Sequence, residues 1–109
     1  MPSLSTHVLD TSLGKPAEGI RVSLEHDGTV LGSAETDADG RVRDLIPKDP
    51  PLPAGEYRLI FHVSDYFQAA GRETIFGDII VQITLHAGRE HYHIPLLLSP
   101  FGYTTYRGS

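Results

Sequence analysis

The sequence has no cysteine, no tryptophan and no asparagine, and two of these absences exclude whole classes of chemistry. Without cysteine the chain has no disulfide, no thiolate metal site and no cysteine nucleophile. Without asparagine it has no acceptor for N-linked glycosylation. Any chemistry must therefore rest on histidine, arginine, tyrosine, hydroxyl and carboxylate side chains.

Long apolar runs and an excess of positive charge are also missing. No stretch approaches the roughly 20 apolar residues that cross a bilayer. Residues 1–4 lack the basic and apolar regions of a signal peptide, so we expect a cytoplasmic or already processed chain. The formal net charge is -5 and the nine basic residues are scattered, which argues against nucleic acid and against an anionic membrane surface. The candidates that remain for a binding partner are a small molecule and another protein.

Short β-type runs separated by Gly, Pro and Asp predict an all-β fold in a single domain, residues 1–109. Residues 27–28, Asp-Gly, indicate a two-residue hairpin, and residues 13–16 indicate a turn. The predicted helix is 64–71, with Ser64 as its N-cap and Gly71 at its end. Seven or eight short antiparallel strands with one short helix predict a β-sandwich. The predicted strands are 4–10, 20–26, 29–35, 41–45, 56–63, 79–85, 90–98 and 103–107.

The histidines of the His91-Tyr92-His93 segment are the first functional candidates. Because side chains alternate along a strand, His91 and His93 should lie on the outer face, opposite the apolar Tyr92 and Ile94. They are either ordinary surface histidines or a general base or metal ligand at a subunit interface. A zinc site that combined them with His7 would lack a cysteine or a well-spaced carboxylate, so we expect no metal.

His7, one turn and the chain end are further candidates. His7 lies in mid-strand among apolar and β-branched neighbours, where a histidine is costly unless it has a role. Residues 37–40 have a fragment of calcium-loop spacing without the remaining ligands, so a turn that ends in a well-placed Arg41 is the better interpretation. We expect the last strand to run to about Arg107 and to fix the polar groups of residues 106–109. We expect three other histidines, His26, His62 and His86, to be structural or exposed.

Four segments of the chain are considered together: THVLDTSLGKPA at 6–17, TDADGR at 36–41, YHIPLLLSP at 92–100 together with Tyr103, and YRGS at 106–109. They resemble motifs of the 5-hydroxyisourate hydrolases, the transthyretin-related proteins of purine breakdown. They occur in the family's order and span almost the whole chain. The resemblance implies a transthyretin-type β-sandwich of about eight strands and one short helix. It also implies a homotetramer with active sites in a channel between dimers.

The resemblance also implies an activity, the hydrolysis of 5-hydroxyisourate to 2-oxo-4-hydroxy-4-carboxy-5-ureidoimidazoline in urate degradation. We expect no cofactor. A histidine would take the proton from the attacking water, and an arginine would orient the substrate carbonyls. Which histidine is the base stays open at this point. The catalytic positions implied are His7, Arg41, His93 and Ser109, and the substrate-binding positions implied are His7, Arg41, Tyr106 and Arg107.

Two other functions are compatible with this fold, a carrier and a structural module. A carrier resembling transthyretin would bind a small aromatic ligand in the same channel. It would have lysine, glutamate and threonine in place of His7, Arg41 and His93, and it would lack the YRGS ending. A structural sandwich module would not need these residues at all. The sequence therefore favours the hydrolase.

Overall fold

The computed structural model describes residues 3–47, 52–88 and 91–108. Within these ranges the chain forms nine strands and one short helix. The strands are β1 (Ser3–Asp10), β2 (Lys15–Pro16), β3 (Arg21–His26), β4 (Thr29–Glu35), β5 (Arg41–Val42), β6 (Gly55–Phe61), β7 (Ile79–Leu85), β8 (His91–Ser99) and β9 (Gly102–Thr105), and the helix is α1 (Val63–Ala69).

The strands form two sheets, which confirms the predicted β-sandwich. One sheet has the order β2-β1-β8-β9, with β5 also paired to β1, and the other has the order β4-β3-β6-β7. The expectation of purely antiparallel strands is wrong, because β1 and β8 run parallel. These two strands are far apart in the sequence, so no hairpin fixes their relative direction.

Alternation along β1 explains how the two faces of its sheet differ. Leu4, Thr6 and Val8 are buried, and the side chains between them are half-buried on the outer face. The same alternation in β8 buries Tyr92 and Ile94 against the core. The outer face is therefore the place where polar side chains of β1 and β8 can meet a ligand or a partner.

The predicted hairpin and two strand ranges are confirmed. Asp27 and Gly28 have φ angles of 50° and 81°, as a type I′ turn requires, and β4 and β7 have the predicted bounds. The turn expected at 13–16 is shorter than predicted, because Lys15 and Pro16 pair with the end of β1 as β2.

The two ends of α1 differ in how well the sequence predicts them. The N-cap is His62, without a side-chain cap hydrogen bond, and the Ser64 amide donates to the Gly77 carbonyl instead. The predicted Ser64 cap is therefore wrong. The end at Gly71 is confirmed, because Gly71 has φ 67° and follows the C-cap residue Ala70. Among the described residues no helix has the length and apolarity to span a membrane; the cytoplasmic location stays a prediction.

A buried carboxylate joins α1 to β1. Asp10, at the end of β1, is 0% exposed and accepts hydrogen bonds from Tyr66 (2.7 Å), Arg72 (2.8 Å) and Ser12 (2.7 Å). Burial alone would raise the pKa of Asp10, but these bonds and one from the Leu13 amide outweigh it and hold the pKa well below its usual range. Asp10 is thus a charged anchor between the helix and the sheet.

Candidate functional site

The pairing of β1 brings three of the predicted site residues to one face. His7 lies opposite Arg41 in the antiparallel pair with β5 and opposite Pro95 in the parallel pair with β8. Ser5, two residues earlier on the same face, lies opposite His93. His7, Arg41 and His93 therefore share the outer face of the sheet, although they are distant in the sequence.

A tight turn places Arg41 beside β1. The Asp37 carboxylate accepts hydrogen bonds from the amides of Asp39 (2.9 Å) and Arg41 (3.0 Å), and the Arg41 amide is the main cause that lowers the pKa of Asp37. Gly40 has φ 77°, and its carbonyl accepts a hydrogen bond from the Val8 amide at 2.7 Å. A Cβ on Gly40 would overlap the Val8 carbonyl oxygen, so only glycine fits here.

The chain end folds back onto β8. The Gly108 amide donates to the His93 carbonyl at 2.8 Å, in the same register that pairs Leu96 with Thr105. The prediction that β9 runs to Arg107 is nevertheless wrong, because Pro95 has no amide proton for the ladder. The Pro95 carbonyl accepts from the Thr105 hydroxyl at 2.8 Å instead, and β9 ends there.

Gly108 lies directly against the His93 side chain. A Cβ on Gly108 would lie 2.6 Å from Cδ2 of His93 and 3.3 Å from Cγ of Pro95. The tail thus covers one side of the imidazole. Ser109, the predicted catalytic hydroxyl, lies outside the described residues.

His93 has the surroundings of a neutral imidazole. It is half-buried, and burial is the main cause that lowers its pKa, followed by the charges of Arg41, His7 and His91. Its Nδ1 atom lies 2.8 Å from Oγ of Ser5. Its Nε2 atom makes no hydrogen bond to any described residue. A neutral ring with Nδ1 held, and with Nε2 unbonded among the described residues, is suited to accept a proton.

A shallow cavity of about 290 Å³ lies on this face. Its lining combines two guanidinium groups with imidazoles and hydroxyls, which suits a planar ligand rich in carbonyl oxygens. Within the described ranges no three histidine or carboxylate side chains lie close enough to hold a metal ion. The lining residues are Ser5, Thr6, Arg41, Val42, Arg43, His91 and His93.

Tyr106 and Arg107 lie elsewhere in the single chain. Both line a larger, mainly apolar groove of about 390 Å³ with Val81 and Ile83 of β7, and Tyr106 is 52% exposed. The chain therefore does not bring them to the cavity beside His93. Their contact with a substrate stays a prediction.

One of the histidines expected to be structural has an ordered network of its own. His62 lies 3.1 Å from the Ser23 hydroxyl through Nε2 and 3.2 Å from Asp78 through Nδ1. Ser23 is only 6% exposed. The order serine, histidine, aspartate is that of a hydrolytic triad, but the buried hydroxyl is out of reach of a substrate, so the network is structural.

Three contributors to this face were not found from the sequence: Ser5, Asp37 and Gly40. Ser5 contacts His93 only because β1 and β8 are parallel neighbours in this register. The turn signal at 37–40 was visible, but its close approach to the Val8 carbonyl depends on tertiary packing. Period-two spacing from His7 is the sequence signal that points to Ser5.

Comparison with known proteins identifies the family of the chain. Residues 4–108 match the model of the HIUase/Transthyretin family. The chain belongs to this family. A 5-hydroxyisourate hydrolase of Salmonella typhimurium is 46% identical in an alignment of 110 positions, which covers 97% of this chain and 80% of the relative. This family member is also similar in structure to Klebsiella pneumoniae 5-hydroxyisourate hydrolase, with a TM-score of 0.91 and 43% identity over 100% of both chains.

The family also contains binding proteins. The structure of sea bream transthyretin in complex with thyroxine has a TM-score of 0.87 to this chain, at 33% identity, covering 97% of this chain and 94% of that one. The fold of this family member is thus shared by a 5-hydroxyisourate hydrolase and by a transthyretin that binds thyroxine in its structure. The side chains on the outer face must distinguish the two functions.

Proposed function

We propose that this chain, as one domain over residues 1–109, hydrolyses 5-hydroxyisourate to 2-oxo-4-hydroxy-4-carboxy-5-ureidoimidazoline in urate degradation. Curated relatives that are 40–46% identical over nearly the whole chain are named for this activity. The observation that carries the proposal is the placement of Arg41 opposite His7, with His93 on the same face. The resemblance of the sequence and the geometry of the site therefore support the same function.

We assign the water-activating role to His93. Its lowered pKa keeps the ring neutral at pH 7, and its Nε2, which makes no hydrogen bond to a described residue, can accept a proton from water. The resulting hydroxide attacks a ring carbonyl, a C–O bond forms, and the C–N bond of the six-membered ring breaks. The leaving nitrogen takes up a proton, and the product is a carboxylic acid.

Arg41 and His7 have supporting roles in this proposal. The Arg41 guanidinium holds the substrate carbonyls and stabilises the negative charge that develops on the attacked oxygen, an effect worth about 10²–10³ in rate. His7 holds the ring and supplies the proton to the leaving nitrogen. Ser109, Tyr106 and Arg107 complete the substrate contacts, and Gly108 beside His93 supports the placement of this tail at the site.

We also propose that the working form is a homotetramer with its active sites between dimers. The cavity beside His93 is open in the single chain, and a second copy that covers it around Arg41 and His93, with His91 left at its edge, would shield the reacting atoms from bulk water. Large apolar side chains are exposed, Leu13 at 50% and Phe101 at 59%. Phe101→Asp should lower the mass seen by sedimentation and the activity together. Val30 is similarly exposed, at 56%, but it lies on β4 of the other sheet, so Val30→Asp should change neither.

The activity is tested with substrate generated in place from urate and urate oxidase. We expect the parent protein to speed the loss of 5-hydroxyisourate absorbance well above its spontaneous decay. His7→Asn and His93→Asn should each lower kcat/KM by about 10²–10⁴. The matched control is His86→Asn, since His86 is exposed and its contact with Tyr92 uses only backbone atoms.

The carrier function is the alternative that the likeness to the thyroxine complex raises. If the folded parent gave no acceleration but bound thyroxine, the hydrolase proposal would be wrong. If the parent accelerated the reaction and both histidine variants kept the parent rate, the activity would stand and both residue roles would be withdrawn.

A further inference from the structure

A serine hydroxyl connects the two histidines of β8. Oγ of Ser5 lies 2.8 Å from Nδ1 of His93 and 3.3 Å from Nε2 of His91. Nδ1 of His91 in turn lies 2.6 Å from Oγ of Ser3. The parallel pairing of β1 with β8 produces this ladder, because it sets Ser3 opposite His91 and Ser5 opposite His93.

The ladder runs from the site towards solvent. His93 is half-buried under the chain end, whereas His91 is exposed and Ser3 is half-buried. The connected groups alternate between hydroxyl and imidazole, and each can donate one hydrogen bond while it accepts another. Such a chain can hold one direction of donation along its whole length.

The direction follows from the role of His93. If Nε2 of His93 accepts a proton from water, the neutral ring must carry its own proton on Nδ1. Nδ1–H then donates to Ser5, the Ser5 hydroxyl donates to Nε2 of His91, and Nδ1–H of His91 donates to Ser3. Every link in the ladder is satisfied with the same polarity.

We propose that Ser5 is a positioning residue that fixes the tautomer of His93, and that Ser5, His91 and Ser3 relay a proton from His93 to solvent. The inference rests on the function proposed above, in which His93 is the base. Ser5 touches the base rather than the substrate, so its effect is exerted through the ring of His93.

The proton balance of the hydrolysis gives such a route a task in each turnover. Water adds across the C–N bond, so the oxygen and one hydrogen form the acid and the other hydrogen goes to the nitrogen. The carboxylic acid then ionises at neutral pH, because its pKa is about 4, and one proton must leave the site per turnover. His93 takes a proton from the attacking water on Nε2 and releases its Nδ1 proton through Ser5, His91 and Ser3 to solvent. The proton of the ionising acid replaces the one that His7 gave to the leaving nitrogen. After product release the Nε2 proton passes to water and Nδ1 takes up a proton through the ladder, which restores the starting tautomer.

The charges that face His93 favour outward transfer. Arg41 of β5, His7 of β1 and His91 of β8 all act against a positive charge on the ring. Arg43 lines the same cavity. A protonated His93 is therefore short-lived unless its second proton can leave, and the Ser5 hydroxyl is the side-chain acceptor at Nδ1.

Three variants of the serines test the proposal in the full-length assembly. Ser5→Ala should lower kcat/KM by about 10- to 100-fold, the size of effect seen when a group that orients a metal-bound histidine is removed. Ser5→Thr keeps the hydroxyl on a residue that strands favour, and it should retain most of the activity. Ser33→Ala, on the exposed face of β4 in the other sheet, is the matched control and should behave as the parent.

Two further readouts separate a relay from a merely structural serine. Added imidazole buffer should restore part of the activity of Ser5→Ala and leave that of Ser5→Thr unchanged. In ¹⁵N-histidine NMR above pH 8, His93 should carry its proton on Nδ1 in the parent and Ser5→Thr, and Ser5→Ala should lose this preference.

The outcomes distinguish this inference from the function on which it rests. If His93→Asn is inactive but Ser5→Ala has the parent rate and the parent tautomer, the relay is wrong and the hydrolase proposal stands. If Ser5→Ala is slow but imidazole has no effect and the tautomer is unchanged, the relay is also wrong. If His93→Asn keeps the parent rate, His93 is not the base, and the relay that depends on it is wrong as well.

Discussion

Gly108 leaves almost no space between the chain end and the imidazole of His93. A methyl group at this position would lie 2.6 Å from Cδ2 of the ring, well inside contact distance. The ring or the tail would therefore have to move. Since reacting groups must be held within a fraction of an ångström, a small displacement here should affect activity more than stability.

Gly108→Ala should lower kcat/KM by at least about 10-fold, with a melting temperature close to that of the parent. Steady-state kinetics and thermal unfolding measure the two effects. Gly102→Ala is the matched control, because its Cβ would meet only the Ser99 hydroxyl at 3.8 Å. Equal activity of the two variants would contradict the close approach of the tail to His93.

The lowered pKa of His93 predicts the pH dependence of the reaction. A base is active when it is unprotonated, so activity should fall as the pH drops through the pKa, which lies below the usual histidine value of about 6.5. Arg41 is one cause of the shift, so Arg41→Gln should move the acidic limb of kcat/KM to higher pH. Arg41→Lys keeps the charge and should leave the limb in place, even if the rate falls. A limb that does not move in Arg41→Gln would refute the coupling.

At the level of secondary-structure elements, the turn before β5 determines whether Arg41 reaches the site. Gly40 combines a positive φ of 77° with contact to the backbone of β1, whereas Gly14 has a similar φ of 70° and no heavy atom within 4 Å of its Cβ position. Substitutions at Gly14 and Gly40 therefore separate the cost of a left-handed backbone from the cost of crowding.

Gly14→Ala should cost about 1–2 kcal/mol of unfolding free energy, from the left-handed conformation alone. Gly40→Ala adds the overlap with the Val8 carbonyl and should cost about 2–5 kcal/mol, together with most of the activity. Urea unfolding and the hydrolase assay measure both. Similar losses in the two variants would show that the close packing of the turn is unimportant.

The same elements show what could be predicted from the sequence. Alternation identified the strands and assigned His93 to the outer face, because period-two burial is a local property. The parallel pairing of β1 with β8 was not predictable, and the Ser5–His93 contact depends on it. Pro95 ends β9 through a missing amide on a neighbouring strand, so a pattern read along β9 alone extended the strand too far.

The residues of the site were recognised more readily than the geometry that supports them. The motifs of the family pointed to His7, Arg41 and His93, and β-pairing brings these three together. The structure of one chain leaves Tyr106 and Arg107 on another groove. Their predicted role requires contacts beyond the single chain, which no sequence pattern specifies.

In the molecule as a whole, Asp10 connects the helix to the sheet that carries the site. Its buried carboxylate is paired with Arg72, and Tyr66 of α1 donates to the same oxygen. Burial, followed by the hydrogen bond to Asp10 and the charge of Asp10, raises the pKa of Tyr66 to about 12. Removing the charge leaves Arg72 without its partner in a partly buried position.

Asp10→Asn should lower the unfolding free energy by about 3–5 kcal/mol, the usual effect of breaking a buried ion pair. Because the folded-state pKa of Asp10 is depressed, its contribution is complete above the unfolded-state value of about 3.9 and is lost as the pH falls below it. The parent should therefore lose stability below about pH 4 more steeply than the variant. Asp39→Asn, at an exposed position, is the control. If the unfolding free energies of the parent and of Asp10→Asn changed in parallel with pH, this role of Asp10 would be contradicted.

The central claim is that His7 and His93 act as one site in the hydrolysis of 5-hydroxyisourate. The most direct test is the kcat/KM of His7→Asn, of His93→Asn and of the double variant, each measured against the spontaneous decay of the substrate. Residues that act as a unit are not additive, so the double variant should be about as slow as the slower single variant. Losses that multiply, or single variants that keep the parent rate, would contradict the claim.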